Sequence, residues 1–212
     1  MSEEEQLEVM RYWVSEASKA RRNIAFIRGF EEIRRRYVES VSPTEEPKDP
    51  AYNAVARVSI AVLNVVLDAL ISFSFKAFDQ ASQASLTRLK NALLRNAAND
   101  DCHDTVNEAF KQFQRNEKVV LEELTRLRNK LIAHIDYDFV LDPKQESLKI
   151  KEVLLATDMI IGLVDVLAAQ FEKIGTVESS NVSGNSLVIT PTKFAETDAE
   201  EFWRVTFCNW AK

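Results

Sequence analysis

The feature that most constrains the fold of this chain is its shortage of residues that end helices. Its 212 residues include Gly 4 and Pro 5. Glycine and proline are the residues that most often interrupt helices and form tight turns. Their low number therefore favours long helices over many short strands. With 46% hydrophobic and 28% charged residues, the chain has the composition of a soluble domain with a sizeable core. An all-α fold is therefore predicted.

Apolar residues recur at steps of three and four residues along most of the chain, which is typical of amphipathic helices. This spacing predicts a bundle of four to five helices, at about 7–41, 50–79, 86–98, 105–135 and 150–174. We interpret Asn99–Asp104 as a polar loop, Thr105–Glu108 as a capping box that opens the next helix, and Ser85 as the cap of the third helix. Residues 1–175 are expected to form the bundle.

The composition changes after residue 175, where a run rich in serine and asparagine begins. We therefore predict a second segment, residues 176–212, as a small irregular extension packed on the bundle. Its pattern allows a short strand at 187–189 and a last helix at about 198–207.

The formal net charge is −6 and the sequence pI is about 5.2. A nucleic-acid-binding domain is usually basic overall, so RNA contact would require a local basic patch. Two clusters qualify, and the alternative is that both are ordinary solvated helix faces. Their members are Arg21, Arg22, Arg28, Arg34, Arg35 and Arg36 in the first helix, and Lys111, Arg115, Lys118, Arg126, Arg128 and Lys130 in the fourth.

The sequence favours a cytoplasmic protein without a membrane span. Its two cysteines, Cys102 and Cys208, do not form a disulfide framework, which indicates a reducing compartment. The most apolar stretch, Val58–Phe75, carries Asn64 and Asp68 near its middle. A charge at a bilayer centre costs about 2.5–3.5 kcal/mol, so we predict a buried core helix instead.

Three residues near the end of the fourth predicted helix have the chemistry of an RNA-cleaving site. Histidine suits proton transfer because its ordinary pKa of about 6.5 is near neutral pH. The planar guanidinium of arginine can donate two hydrogen bonds to phosphate oxygens. An asparagine can orient the substrate without adding charge. Arg128, Asn129 and His134 are therefore the candidate catalytic residues, and no metal or cofactor is required.

Helix geometry limits how these residues can meet. Six residues of an ideal helix leave Arg128 and His134 about 120° and about 9 Å apart, so one straight helix does not aim both at one phosphorus. Either the arginine side chain bends toward the histidine, or a two-fold axis brings two such helices together. A structural alternative is that His134, seven residues after Leu127, continues an apolar seam of the helix as a hydrogen-bonded core residue. Two such seams are predicted, one of Val106, Phe113, Val120 and Leu127 and the other of Phe110, Leu124 and Leu131.

The segment Arg128-Asn129, four residues, His134 resembles the signature of the HEPN superfamily (higher eukaryote and prokaryote nucleotide-binding). That signature is an arginine, a polar residue, four to five more residues and a histidine. Asp136 and the stretch from Phe78 through Leu89 are also similar to its abortive-infection branch. The resemblance covers roughly residues 5–175.

The resemblance implies an all-α bundle that dimerises through the motif helix and builds a composite site. Many such proteins are metal-independent endoribonucleases that act in phage defence or as toxins of toxin–antitoxin pairs. Arg128 would then bind the scissile phosphate, His134 would be the general acid or base, and Asn129 would orient the site. Some members are catalytically silent and bind a nucleotide or a protein partner, which is the alternative function.

Two further groups of residues have the composition of a possible site. In a related toxin group, a tyrosine two residues after the histidine is modified by a partner enzyme. Here Tyr137 follows His134 by three residues, so we interpret it as a packed or interfacial aromatic. Cys102-His103-Asp104 does not have the spacing of a zinc site.

Overall fold

A computed structural model of the chain describes residues 1–40, 50–79, 81–96, 100–127, 150–173 and 193–208. Within these ranges the chain forms helices and no strand, which confirms the predicted all-α fold. The helices are α1 Glu3–Ser40, α2 Pro50–Phe78, α3 Leu86–Asn96, α4 Asp100–Leu127, α5 Ile150–Lys173 and α6 Lys193–Cys208.

The start of α3 confirms the cap predicted from the sequence. The backbone N–H of Arg88 donates to the Ser85 hydroxyl at 3.4 Å, and the N–H of Leu89 donates to the Ser85 carbonyl at 3.0 Å. A capping hydroxyl of this kind satisfies an N–H group that has no partner inside the helix. Ser85 therefore fixes where α3 begins.

The predicted loop at Asn99–Asp104 is wrong for its described part. Helix α4 already begins at Asp100, so Thr105 lies inside the helix and does not open it. Asp100 and Asp101 lie in the first turn, where carboxylates interact favourably with the positive end of the helix dipole. Cys102 in the same turn is buried, so this turn packs against the protein core.

The chain divides into two compact units. The first unit comprises residues 1–20 and 70–190, and its described core is built mainly by α4 packing against α5. The core side chains of these helices include Val106, Phe110, Phe113, Ile160, Leu163, Val164, Leu167 and Phe171.

Trp13 connects α1 to the turn before α3 within this unit. Its indole is buried and donates a hydrogen bond from Nε1 to the Ala84 carbonyl at 2.6 Å. Its ring meets that of Phe73 edge-on, with centroids 5.8 Å apart. A buried tryptophan needs a partner for its N–H, and here the backbone supplies it.

The second unit comprises residues 21–69 and 191–212, and in it α6 packs on α1. Trp203 of α6 is 1% exposed, and its Nε1 donates to the Phe26 carbonyl at 2.9 Å. Its ring lies 4.7 Å from that of Phe26 and 4.9 Å from that of Phe30, centroid to centroid. The predicted last helix at 198–207 is confirmed and begins five residues earlier, at Lys193.

Gly29 allows α1 and α6 to approach closely. A Cβ atom at this position would lie 3.1 Å from the carbonyl carbon of Ala199 and 3.1 Å from the nitrogen of Glu200. Both are backbone atoms, which cannot move aside as a flexible side chain could. We expect Gly29→Ala to lower the free energy of unfolding by about 1–3 kcal/mol, as overpacking does.

Gly162 of α5 provides the matched control, because a Cβ there would meet nothing within 4 Å. Gly162→Ala is expected to raise stability by about 0.5–1 kcal/mol, the usual gain from replacing an unconstrained helical glycine. Urea unfolding of both variants measures the difference. A Gly29→Ala protein as stable as the Gly162→Ala protein would show that α1 and α6 do not approach this closely.

Helix α2 departs from the prediction of a buried core helix over its first half. Leu70, Phe73 and Ala77 are buried as expected, but Val58 and Val65 are exposed. The two described stretches long and apolar enough to cross a membrane are Arg57–Phe78, 35% buried, and Val153–Phe171, 61% buried. Length and composition alone qualify them, and a core helix of a soluble bundle passes the same test.

The predicted domain boundary between residues 175 and 176 lies outside the described residues and stays a prediction. The same holds for the strand predicted at 187–189. The described part of the extension is α6, a regular helix of 16 residues.

Candidate functional site

The three candidate catalytic residues, Arg128, Asn129 and His134, lie outside the residues that the structure describes. Helix α4 is described as far as Leu127, the residue directly before Arg128. The structure therefore shows that a long helix leads into the motif. How the three side chains meet stays a prediction, as does the environment of Tyr137.

The buried face of α4 fixes which side of the helix meets solvent. Val106, Phe110 and Phe113 are buried, which confirms the described part of the predicted apolar seam. The Phe113 ring stacks on that of Phe78, with centroids 4.8 Å apart. Lys111 and Arg115, one turn apart on the opposite face, are exposed. Lys111 and Arg115 therefore lie on a solvent-facing strip of α4 on the side opposite its buried face.

Helix α3 adds a cation to this strip. The ammonium of Lys90 lies 4.9 Å from the centre of the Phe110 ring, a favourable cation–π distance. Its partial burial lowers the pKa of Lys90, and the positive charge of Lys111 lowers the pKa further. Two cations are thus held near each other, and among the described residues neither forms a salt bridge. An anion between them would relieve their repulsion.

Sequence reasoning placed Lys111 and Arg115 in a basic cluster but missed Lys90. Its proximity to Lys111 depends on how α3 packs against α4, which the periodicity of one helix does not reveal. One signal was present: the segment Leu86–Asn96 contains three basic residues and no acidic one.

The basic cluster predicted in the first helix is a mixed-charge surface where the structure describes it. Arg35 pairs with Glu32, the nearest nitrogen and oxygen being 2.9 Å apart. The open groove beside them, about 480 Å³ in volume, is lined by both signs of charge. Its lining residues are Ala25, Arg28, Gly29, Glu31, Glu32, Arg35 and Glu200. Carboxylates at this density would repel a phosphate backbone, so α1 does not offer an RNA surface there.

The segment Cys102-His103-Asp104 forms part of the first turns of α4. Cys102 is buried and packs as a small hydrophobic residue. Within the described ranges, no group of three or more His, Cys, Asp or Glu residues is placed to hold a metal ion.

Comparison with known proteins places the chain in a family. The model of the family described as HEPN AbiU2 matches residues 44–177, which is more than half of the 212 residues. No curated protein and no solved structure matches the chain. The matched segment includes helices α2 to α5 and the Arg128–His134 motif. The chain therefore belongs to the AbiU2 family, a HEPN-type family associated with abortive infection.

Proposed function

We propose that the protein is a metal-independent endoribonuclease that acts as a dimer, in prokaryotic phage defence or as the toxin of a toxin–antitoxin pair. The observation that carries the proposal is the Arg128-Asn129-x4-His134 segment, which directly follows α4 in a chain of the HEPN AbiU2 family. The family match covers both the motif and the helices around it.

The proposed reaction is an attack of a ribose 2′-hydroxyl on the neighbouring phosphorus. His134 of one or both copies takes the proton from the 2′-hydroxyl and returns a proton to the leaving 5′-oxygen. The Arg128 guanidinium donates to the phosphate oxygens, where negative charge grows in the transition state. Asn129 orients the phosphate or a neighbouring side chain.

Dimerisation through the motif helix is part of this proposal. One helix places Arg128 and His134 about 120° apart, whereas a two-fold axis near the end of α4 would bring both residue types of both copies to one groove. An antitoxin or another product of a neighbouring gene is the expected regulatory partner. We place the protein in the cytoplasm, since RNA and phage replication are found there.

The cations on α3 and α4 support an RNA substrate despite the acidic net charge. The half-buried Lys90 of α3 lies near the exposed Lys111 of α4, and Arg115 follows Lys111 by one turn. The exposed Asp104 and Glu108 precede them on the same face of α4, whereas no acidic residue occurs in α3. Single-stranded RNA binds such strips through its backbone phosphates, with release of counterions. We propose that this strip guides RNA toward the motif.

The double variant Lys90→Gln/Lys111→Gln tests this strip. We expect weaker RNA binding and a slope of log affinity against log salt that is shallower by about 1.4, or 0.7 for each lost phosphate contact. Fluorescence anisotropy with a 2′-O-methyl RNA measures binding without cleavage.

Lys19→Gln is the matched control, because Lys19 is an exposed lysine that pairs with Glu16 instead. Its RNA affinity and salt slope should equal those of the wild type. If the double variant also kept the wild-type salt slope, the strip would have no role in RNA binding.

The proposed activity is tested by incubating purified wild-type protein with a labelled RNA in the presence of EDTA. Cleavage that persists without divalent cations supports the ribonuclease. Absence of cleavage, together with a thermal shift by one member of a nucleotide panel, would support a catalytically silent binding protein.

The intact mass after co-expression with the neighbouring gene product tests whether Tyr137 is modified.

A further inference from the structure

The exposed side of the first half of α2 carries a continuous apolar stripe. Val58, Val62 and Val65 are 63%, 39% and 68% exposed, and the exposed Ala69 continues their spacing. We call these four residues the valine stripe. Steps of four, three and four residues set them along one side of the helix over about 17 Å, the arrangement of a coiled-coil seam. A contiguous apolar surface of this kind marks a contact with a partner.

Two opposite charges lie on one edge of the valine stripe. Arg57 stands near its start and Asp68 near its end, and both are exposed. The step of eleven residues from Arg57 to Asp68 rotates about 20° beyond three full turns, so both lie on the same edge. Partial burial raises the pKa of the Asp68 carboxyl, which means that a nearby positive charge would stabilise its ionised form.

This charge pattern is complementary to itself. If two copies of α2 pair antiparallel about a two-fold axis between Val62 and Val65, the charged edges of both copies lie on the same side. Arg57 of each copy then comes within about one turn of Asp68 of the other copy, and two ion pairs can form. A parallel pairing would place the charged edges on opposite sides, where no such pair forms.

We propose that the valine stripe is a second interface between copies of this chain, separate from the one proposed at the motif helix, in which α2 packs antiparallel on α2 of another copy. The valines exclude water at the centre, and the reciprocal Arg57–Asp68 pairs fix orientation and register at the edge. The proposal does not rest on the ribonuclease activity, since the assembly it predicts can be measured without RNA.

A bilayer is the other partner that an apolar helix of this length could contact. Asp68 lies at the middle of the apolar stretch Arg57–Phe78, where a charge costs about 2.5–3.5 kcal/mol. The second half of the same stretch buries Leu70 and Phe73 inside the protein. Both observations favour a second copy over a membrane.

Val65→Asp tests the centre of the interface. We expect it to raise the dissociation constant of the assembly at least about 100-fold and thereby halve the particle mass, because two carboxylates would meet near the two-fold axis. Sedimentation equilibrium over a concentration series measures both quantities. Val65 is exposed, so the circular dichroism spectrum should not change.

Leu155→Asp is the matched control, an equally drastic change at an α5 side chain that is 54% exposed. It should leave the mass unchanged. A wild type that is monomeric throughout the series, or a Val65→Asp protein with the mass of the wild type, overturns the proposal. Co-flotation of the wild type with phosphatidylcholine–phosphatidylglycerol vesicles, lost in Val65→Asp, would overturn it in favour of a membrane.

A charge exchange tests the antiparallel register. Arg57→Asp alone and Asp68→Arg alone should each weaken association about tenfold, since each puts like charges together at the edge. The double variant R57D/D68R should restore the wild-type dissociation constant, because the pairs reform with their signs exchanged. A double variant no tighter than the single variants would overturn the proposed pairing.

Discussion

Replacement of His134 by alanine is expected to lower the rate of RNA cleavage by about 10²- to 10⁴-fold, the usual contribution of a general acid or base. In the proposed reaction no other side chain of the motif can exchange a proton at neutral pH, because arginine stays charged and asparagine does not titrate. The initial rate of cleavage of a labelled RNA measures the loss. Toxicity in cells should be lost together with it.

The chain offers a matched control in its only other histidine, His103. His103 lies in the first turns of α4, about 24 residues before the motif. His103→Ala should cleave RNA within a few-fold of the wild-type rate. For both variants the oligomeric mass should equal that of the wild type. A His134→Ala protein that keeps the wild-type rate would show that the histidine is not catalytic.

Replacement of Trp203 by alanine is expected to lower the free energy of unfolding by about 3–5 kcal/mol, the range for a buried tryptophan. Trp203 is buried against Phe26 and Phe30, and its Nε1 donates to the Phe26 carbonyl. The change would leave a cavity between α1 and α6 and remove the hydrogen bond from the indole to α1. Denaturant unfolding followed by circular dichroism measures the loss.

Phe202 is the matched control for Trp203, because it is the neighbouring aromatic residue of α6 and is exposed. Phe202→Ala should cost less than about 1 kcal/mol, in keeping with surface substitutions that remove only part of a contact. Equal losses in the two variants would contradict the packing of α6 through Trp203.

Periodicity and turn chemistry were sufficient to predict most of the fold. The helices appear where apolar residues recur at helical spacing, and Pro50 and Ser85 mark the starts of α2 and α3. The start of α4 differs from the prediction, because Asp100 and Asp101 are equally suited to a polar loop and to the first turn of a helix. Only the burial of Cys102 decides between them, and burial is a tertiary property.

The exposure of α2 could not be predicted for a related reason. Composition shows that Val58, Val62 and Val65 are apolar, but which neighbours cover them depends on tertiary packing. A helix that is apolar on nearly every side is equally consistent with a protein core and with an interface between copies. The exposed fractions distinguish these two possibilities.

Part of the candidate site can be predicted from local sequence, and part of it depends on tertiary packing. Arg128, Asn129 and His134 are identified by residue type and spacing alone, and Lys111 and Arg115 by their place on one helix. Lys90 belongs with them only because α3 packs against α4. The cations that would hold RNA therefore come from two helices, and the pattern of α4 alone reveals only Lys111 and Arg115.

The chemistry proposed for His134 determines which chemical groups end the RNA fragments. Attack by the 2′-hydroxyl produces fragments that end in a 2′,3′-cyclic phosphate or its hydrolysed phosphate, with a 5′-hydroxyl on the other fragment. Mass spectrometry of the products formed by the wild-type protein in EDTA identifies these ends directly. We predict cyclic phosphate and 5′-hydroxyl ends. Fragments with 3′-hydroxyl and 5′-phosphate ends, or intact RNA, would contradict a metal-independent ribonuclease.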